Sequence, residues 1–240
     1  MERILKEIDR EMVGKNIYPD ESVYVTEKYT DPDSGITSQK QYRICVHYDD
    51  CAESPRDWDN VCTILSARGN WDVGDKEWSL GRDEARAKYE ELKADHNIYM
   101  RPIYMYDHSG QTISLTPFGD PWDSGIFGYI FVSKDTMLKE TNATEENWQE
   151  RAQQIMESEI ETYDAYITGS VYGFVIQEEQ IVKHHNISTD ERWEDTSWCV
   201  VDSCYGFYGD DFNESGLIAE ATSFFDYVHS DVHFYTEQYK

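Results

Sequence analysis

Positive charge is what this chain most lacks. Its 21 Lys and Arg stand against 48 Asp and Glu, for a formal charge of −27. A nucleic-acid binder presents Lys and Arg and gains from counterion release; a surface of the opposite sign repels phosphate, so no direct nucleic-acid partner and no anionic membrane surface is expected. Long apolar runs are missing as well. No stretch approaches the ~20 residues that span a bilayer, and residues 1–12 are charged throughout instead of carrying the apolar run of a signal peptide. The cysteines Cys45, Cys51, Cys62, Cys199 and Cys204 are odd in number and spread over a long chain, which does not suit a disulfide scaffold. Cys199 and Cys204 also lack the spacing of a zinc ribbon. The expectation is a soluble protein of the reducing cytoplasm. Phosphate-cradling G-x-x-x-x-G-K-[ST] and G-x-G-x-x-G loops are absent, and so is the G-x-S-x-G elbow, which removes those routes to nucleotide binding and serine hydrolysis.

Aromatic residues, by contrast, are plentiful: 18 Tyr, 9 Phe and 7 Trp. Disordered acidic chains are poor in aromatics, so this one is expected to fold. Its charge far exceeds the magnitude of roughly 2–8 that keeps a small domain soluble, and self-repulsion opposes the compact state. Three readings compete: mimicry of nucleic acid to occupy a basic groove, adaptation to high internal salt, and plain solvation. Salt adaptation depletes Lys and large apolar side chains, whereas here 11 of the 21 cations are Lys.

The pattern of residues predicts a single α+β domain over 1–240, with a mixed, mostly antiparallel sheet flanked by helices and no repeats or linker. Ile4, Leu5, Ile8 and Met12 fit one face of a peripheral amino-terminal helix, 2–12. Strands are expected at 22–29 and 42–48 around the turn 30–35, then at 98–106, 111–116, 127–132 and 170–177. Residues 197–207 read as a strand pair or one bulged strand, and 178–196 read as polar loop. Helices are expected at 83–95, at 134–140 with Ser133 as cap, at 144–167 ended by Gly169, and at 214–229 capped by Asp211 or Asn213.

Helix 144–167 is the most informative segment. Trp148, Ala152, Ile155, Met156, Ile160, Tyr163 and Ile167 share one face, and Glu146, Glu150, Glu157, Glu161 and Asp164 share another. Carboxylates four apart rise about 6 Å along a helix, near the ~3.4 Å rise per phosphate of one DNA strand once its longer through-space path is counted. Like charges at that spacing weaken an isolated helix. Residues 190–237, which include Asp210 and Asp211, form a second acidic region. These acids are the candidate partner-binding residues, and no metal or cofactor is expected.

Other constellations point to chemistry less directly. Asp107-His108-Ser109 are neighbours, which face different ways and cannot form a relay alone. His229 and His233, with Asp226 and Asp231, have zinc spacing only if helical. Asp107, Asp123 and Asp202 lie near strand ends and could converge on Mg²⁺ in a phosphoryl-transfer or phosphodiester-cleaving enzyme. That is the alternative reading; few cations are near to hold a phosphate, and no motif compels an enzyme.

Several segments resemble a family of acidic proteins from bacterial phages and mobile elements. They are Glu53-Ser-Pro-Arg-Asp-Trp-Asp-Asn60, Tyr106-Asp-His-Ser-Gly110, Pro121-Trp-Asp-Ser-Gly125 with Gly128-Tyr-Ile130, Tyr163-Asp-Ala-Tyr-Ile-Thr-Gly169 with Val171-Tyr-Gly173, and Asp202-Ser-Cys-Tyr-Gly-Phe207. An extra Ala52 loosens the first. The family has no established activity, so no catalytic roles carry over. The resemblance implies a context, a mobile element inside a bacterial host, where small acidic proteins block nucleases, restriction enzymes or polymerases. The function expected is an inhibitor or modulator of the anti-restriction type that binds a host protein with a basic nucleic-acid groove, in the bacterial cytosol, with a homo-oligomer left open.

Overall fold

The computed structural model describes residues 3–67, 73–226 and 230–239. In chain order the elements are β1 (Arg3–Ile8), α1 (Val13–Asn16), β2 (Ser22–Thr30), β3 (Thr37–Tyr48), β4 (Thr63–Ala67), β5 (Ser79–Leu80), α2 (Arg82–Ala94), β6 (Ile98–Asp107), β7 (Gln111–Ser114), β8 (Ser124–Ser133), α3 (Lys134–Glu140), α4 (Trp148–Thr168), β9 (Val171–Asn186), β10 (Glu191–Tyr208), α5 (Leu217–Ser223) and β11 (Ser230–Tyr239). This is the expected α+β class. The strands are divided over two sheets, and the chain over two compact units: Met1–Ala52 with Val171–Lys240, and Glu53–Ser170.

The first unit holds a six-stranded sheet in the order β1-β11-β2-β3-β9-β10, antiparallel at every pairing. Alternate residues of its strands, Val23 and Val25, Ile44 and Val46, Phe174 and Ile176, point to one face. There they pack with Val13, Ile17, Leu217, Ala221 and Phe225, each full burial of such a side chain stabilising by about 1.5–3 kcal/mol.

In the second unit the order is β5-β4-β8-β6-β7. Here β4 and β5 run parallel and the other pairs antiparallel. The period-2 alternation of the strands sends neighbouring residues to opposite faces. Ile64, Ile103, Ile130 and Val132 meet Met137, Trp148, Ala152, Met156 and Ile160 of α3 and α4. Leu65 and Phe131 meet Ala85 and Leu92 of α2 on the reverse face.

Many expected elements are present, including α2, α3 with its Ser133 cap accepting from the Thr136 amide, and α4, closed by Gly169 at φ 78°. Three differ. The amino-terminal segment is a strand rather than a helix, because Arg3–Ile8 pairs with Phe234–Tyr239. Only Ile8 of its apolar residues joins the core, while Ile4 and Leu5 stay exposed. The polar stretch 178–196 is the outer part of the β9–β10 hairpin, paired from Val171↔Tyr208 to Asn186↔Glu191. Its exposure on both faces removes the hydrophobic alternation that marks a strand. The last helix is short: α5 follows Gly216 and ends at Ser223, Asp211 accepts from the amides of Asn213 and Glu214 ahead of it, residues 224–226 leave the helix, and the expected positions 227–229, Val228 and His229 among them, lie outside the described residues. β10 is the bulged-strand alternative, irregular between Val200 and Asp202 and between Tyr205 and Phe207.

Candidate functional site

The acidic ridge of α4 is the feature the sequence singles out. The helix buries Trp148, Ala152, Met156, Ile160 and Tyr163 and turns Glu150, Glu157 and Glu161 outward, with Glu146 just ahead of its first turn; all four are exposed. They are not equally available. Glu157 pairs with Arg101 at 3.0 Å and accepts from Gln153. Asp164 is half-buried and anchors β7, accepting from the Thr112 hydroxyl at 2.8 Å and the Ile113 amide at 2.7 Å. Among the described residues Glu146, Glu150 and Glu161 have no cation or donor beside them. Glu150 and Glu161 stand about 16 Å apart along the axis. In the first unit Asp210 accepts from the Tyr172 hydroxyl at 2.6 Å and Asp211 is engaged in the turn before α5, although both remain exposed.

A second constellation was not foreseen. Arg56 sits in a short turn at Pro55–Asp57 with its side chain only 5% exposed. Its guanidinium bonds Asp75 twice, at 2.7 and 3.0 Å, Glu159 at 2.9 Å, and the Cys62 carbonyl at 2.8 Å. The other oxygen of Glu159 accepts from the amides of Val61 and Cys62. Asp75 also accepts from Ile64, and the Tyr163 hydroxyl from Gly74. Every charge in the cluster is met, as burial demands. Burial lowers the Arg56 pKa, and the hydrogen bonds and charges of Asp75 and Glu159 outweigh it, leaving it above the usual value. Burial, with the Glu159 carboxylate beside it, holds the Cys62 thiol far above its ordinary range. Arg56, Cys62, Asp75 and Tyr163 of the cluster line a cleft of about 520 Å³ together with Trp58, Trp78 and Tyr166. Glu159 was legible in one respect: it lies four residues from both Ile155 and Tyr163, on the apolar stripe, where a carboxylate needs a buried partner.

The segments that carry the resemblance meet within this geometry. Arg56, Trp58 and Asn60 of the first line the same cleft as Tyr163 and Tyr166 of another. The Asp107 amide donates to the Asp123 carbonyl at 2.9 Å, and His108 Nδ1 lies 2.9 Å from the Asp123 carboxylate. The carboxylate partner of His108 thus comes from the Pro121–Gly125 segment, and the pair is solvent-exposed. Amides of Trp122 and Asp123 bond the Asp120 carboxylate and lower its pKa, fixing a loop that presents Trp122 at 91% exposure. Tyr172 and Gly173 pair with Phe207 and Tyr205 across β9 and β10.

Compared with protein-family models, with curated proteins and with solved structures, the chain matches none. Its sites therefore rest on their own geometry. Asp107 and Asp123 belong to the second unit and Asp202 to the first, where its carboxylate accepts from the Ser203 amide. Among the described residues no group of three or more His, Cys, Asp and Glu side chains is placed to hold a metal ion. His233 is in extended β11 and its ring pairs with Glu7. Among the described residues no helix is long and apolar enough to cross a membrane.

Proposed function

We propose that the protein acts by binding a partner whose surface is basic, as a charge mimic of nucleic acid, and that the α4 ridge is the contact. The observation that carries this reading is the state of Glu146, Glu150 and Glu161, which stand exposed and unpaired among the described residues, the first just ahead of α4 and the other two on it, while the opposite face of that helix is packed into a core. A rigid row of unneutralised carboxylates gains Coulomb energy and steered association when it meets Lys and Arg, and loses both as salt screens them. The phage and mobile-element setting implied by the resemblance narrows the partner to a host restriction or other defence enzyme with a nucleic-acid groove, whose activity the bound protein would block.

The test uses a DNA-cleaving restriction enzyme as the probe partner. Binding is expected to weaken steeply with salt and to be displaced by duplex DNA. Glu146→Lys, Glu150→Lys and Glu161→Lys together are expected to remove it while leaving the circular dichroism and unfolding midpoint near those of the wild type, because all three side chains are solvent-exposed. Inhibition that survives the triple reversal places the contact elsewhere.

A further inference from the structure

The outer edge of β10 supplies an independent surface. The strand is the outermost of its sheet, and β3 pairs with β9 only over Tyr172–Glu178. Beyond that point Glu179–Asn186 and Glu191–Trp198 form a two-stranded ribbon. Residues 191–197 are all exposed, Trp193 at 47%, and Val200 is 61% exposed. From Glu191 to Val200 the strand is regular; the first irregularity falls between Val200 and Asp202. Among the described residues no strand pairs with this outer edge, and a long edge in regular register is a template for a further strand.

We infer that the occupant of this edge is a second copy of the same edge, in an antiparallel two-fold pairing centred on Thr196. In such an isologous contact the central residue faces itself, and residues equally far on either side face one another. This makes most registers self-excluding. Centring on residue 193 sets Glu191 opposite Asp195, centring on 194 sets Glu194 on itself, and centring on 195 sets Asp195 on itself, each placing like charges directly opposite. Centring on Thr196 sets a threonine on a threonine, a favourable cross-strand pair, with Asp195 opposite Ser197, Glu194 opposite Trp198 and Arg192 opposite Val200. No carboxylate then directly faces another, and the ladder uses the regular run 192–200, ending where the bulge begins. Centring on Ser197 also avoids facing carboxylates but carries Trp193 and Arg192 onto the bulged residues.

Each copy has a formal charge of −27, so approach is opposed at low ionic strength and eased as the screening length falls from about 10 Å at 0.1 M to about 3 Å at 1 M salt. Self-association therefore strengthens with salt, opposite to the partner binding proposed above, and the two readings fail separately. Sedimentation velocity of the full chain is expected to show a shift from monomer toward dimer between about 0.1 M and about 1 M salt. In a background with Cys51→Ser, Cys199→Ser and Cys204→Ser, Thr196→Cys is expected to form an intermolecular disulfide on mild oxidation. Val200→Cys, about 27 Å from its own copy in this register, is expected not to. Thr196→Asp is expected to abolish the dimer with the circular dichroism unchanged. A chain that stays monomeric at both salt concentrations, cross-linking through Val200→Cys as readily as through Thr196→Cys, or a dimer that survives Thr196→Asp each overturns the proposal.

Discussion

Arg56 shows how one buried cation organises its surroundings. It ties the turn at 55–57 to Asp75 and to Glu159 of α4, and through Glu159 it fixes the Val61 and Cys62 amides just ahead of β4. Removing it leaves two carboxylates in a mostly dry site, and breaking a buried pair from one side costs about 3–5 kcal/mol. Arg56→Met is expected to lower the urea-unfolding free energy by that order. Arg56→Lys is expected to rescue little, since an ammonium cannot reproduce the forked bonds to Asp75 and the reach to Glu159. Cys62 beside it gives a pH signature. Its folded pKa is raised from an ordinary value of 9.0, so the native state keeps a proton that the unfolded chain releases. Its contribution is fully present below that value and is lost as pH rises toward the folded pKa. Tyr163, also raised chiefly by burial from an ordinary value of 10.0, acts in the same direction. The unfolding midpoint is expected to drop on going from neutral pH to about pH 10, less so in Cys62→Ala, and native-state thiol labelling is expected to reach exposed Cys51 but not Cys62. None of this was legible as a cluster in the sequence. Arg56, Asp75 and Glu159 are far apart along the chain, and pairing at that range is set by tertiary packing that no local pattern encodes.

At the scale of elements, the readings that held are those in which local signals and burial agree. The apolar stripe of α4, the serine cap of α3, the alternation of β6 and the apolar density of β8 each point to the structure they adopt. Two of the readings that failed are those in which an edge or a ribbon has no buried face to imprint a period. β1 carries residues at helical spacing yet gains more from pairing with β11. The distal β9–β10 hairpin is held by cross-strand contacts instead of a core, including the His184–Trp193 stack and the Lys183–Glu194 pair, which leave no hydrophobic alternation to read. Glycine marks one place where elements approach unusually closely. A Cβ on Gly128 of β8 would lie 2.5 Å from the Leu65 carbonyl oxygen of β4. Since that obstacle is backbone, the strands themselves must separate. Gly128→Ala is expected to destabilise the second unit by about 1–3 kcal/mol, as overpacking does, with the loss visible as faster hydrogen exchange at β4 and β8 amides.

The whole molecule is organised as one unit opened by another. Glu53–Ser170 is a continuous stretch carrying its own sheet and two clusters of buried side chains, and it separates the two halves of the first unit. The sequence hid this division because no composition shift or flexible linker marks either joint, and both stretches carry an acidic excess. The joints fall where the first unit can tolerate them. Tyr48 of β3 pairs with Tyr172 of β9, and the Asp49 amide donates to the Val171 carbonyl at 2.8 Å, so the chain leaves and returns on neighbouring antiparallel strands. Such strands can be joined by a two-residue turn, and closing a short loop is entropically cheaper than closing a long one. Replacing 50–170 with an Asn-Gly turn between Asp49 and Val171 is therefore expected to leave a first unit that folds with β3 and β9 still paired. The separate fragment 53–170 is expected to unfold cooperatively, with the alkaline loss of stability assigned to Cys62 travelling with it. Amide-resolved NMR of the shortened protein and pH-dependent denaturation of the fragment would show both. A fragment without a cooperative transition would mean that the second unit depends on the first, despite containing every strand of its own sheet.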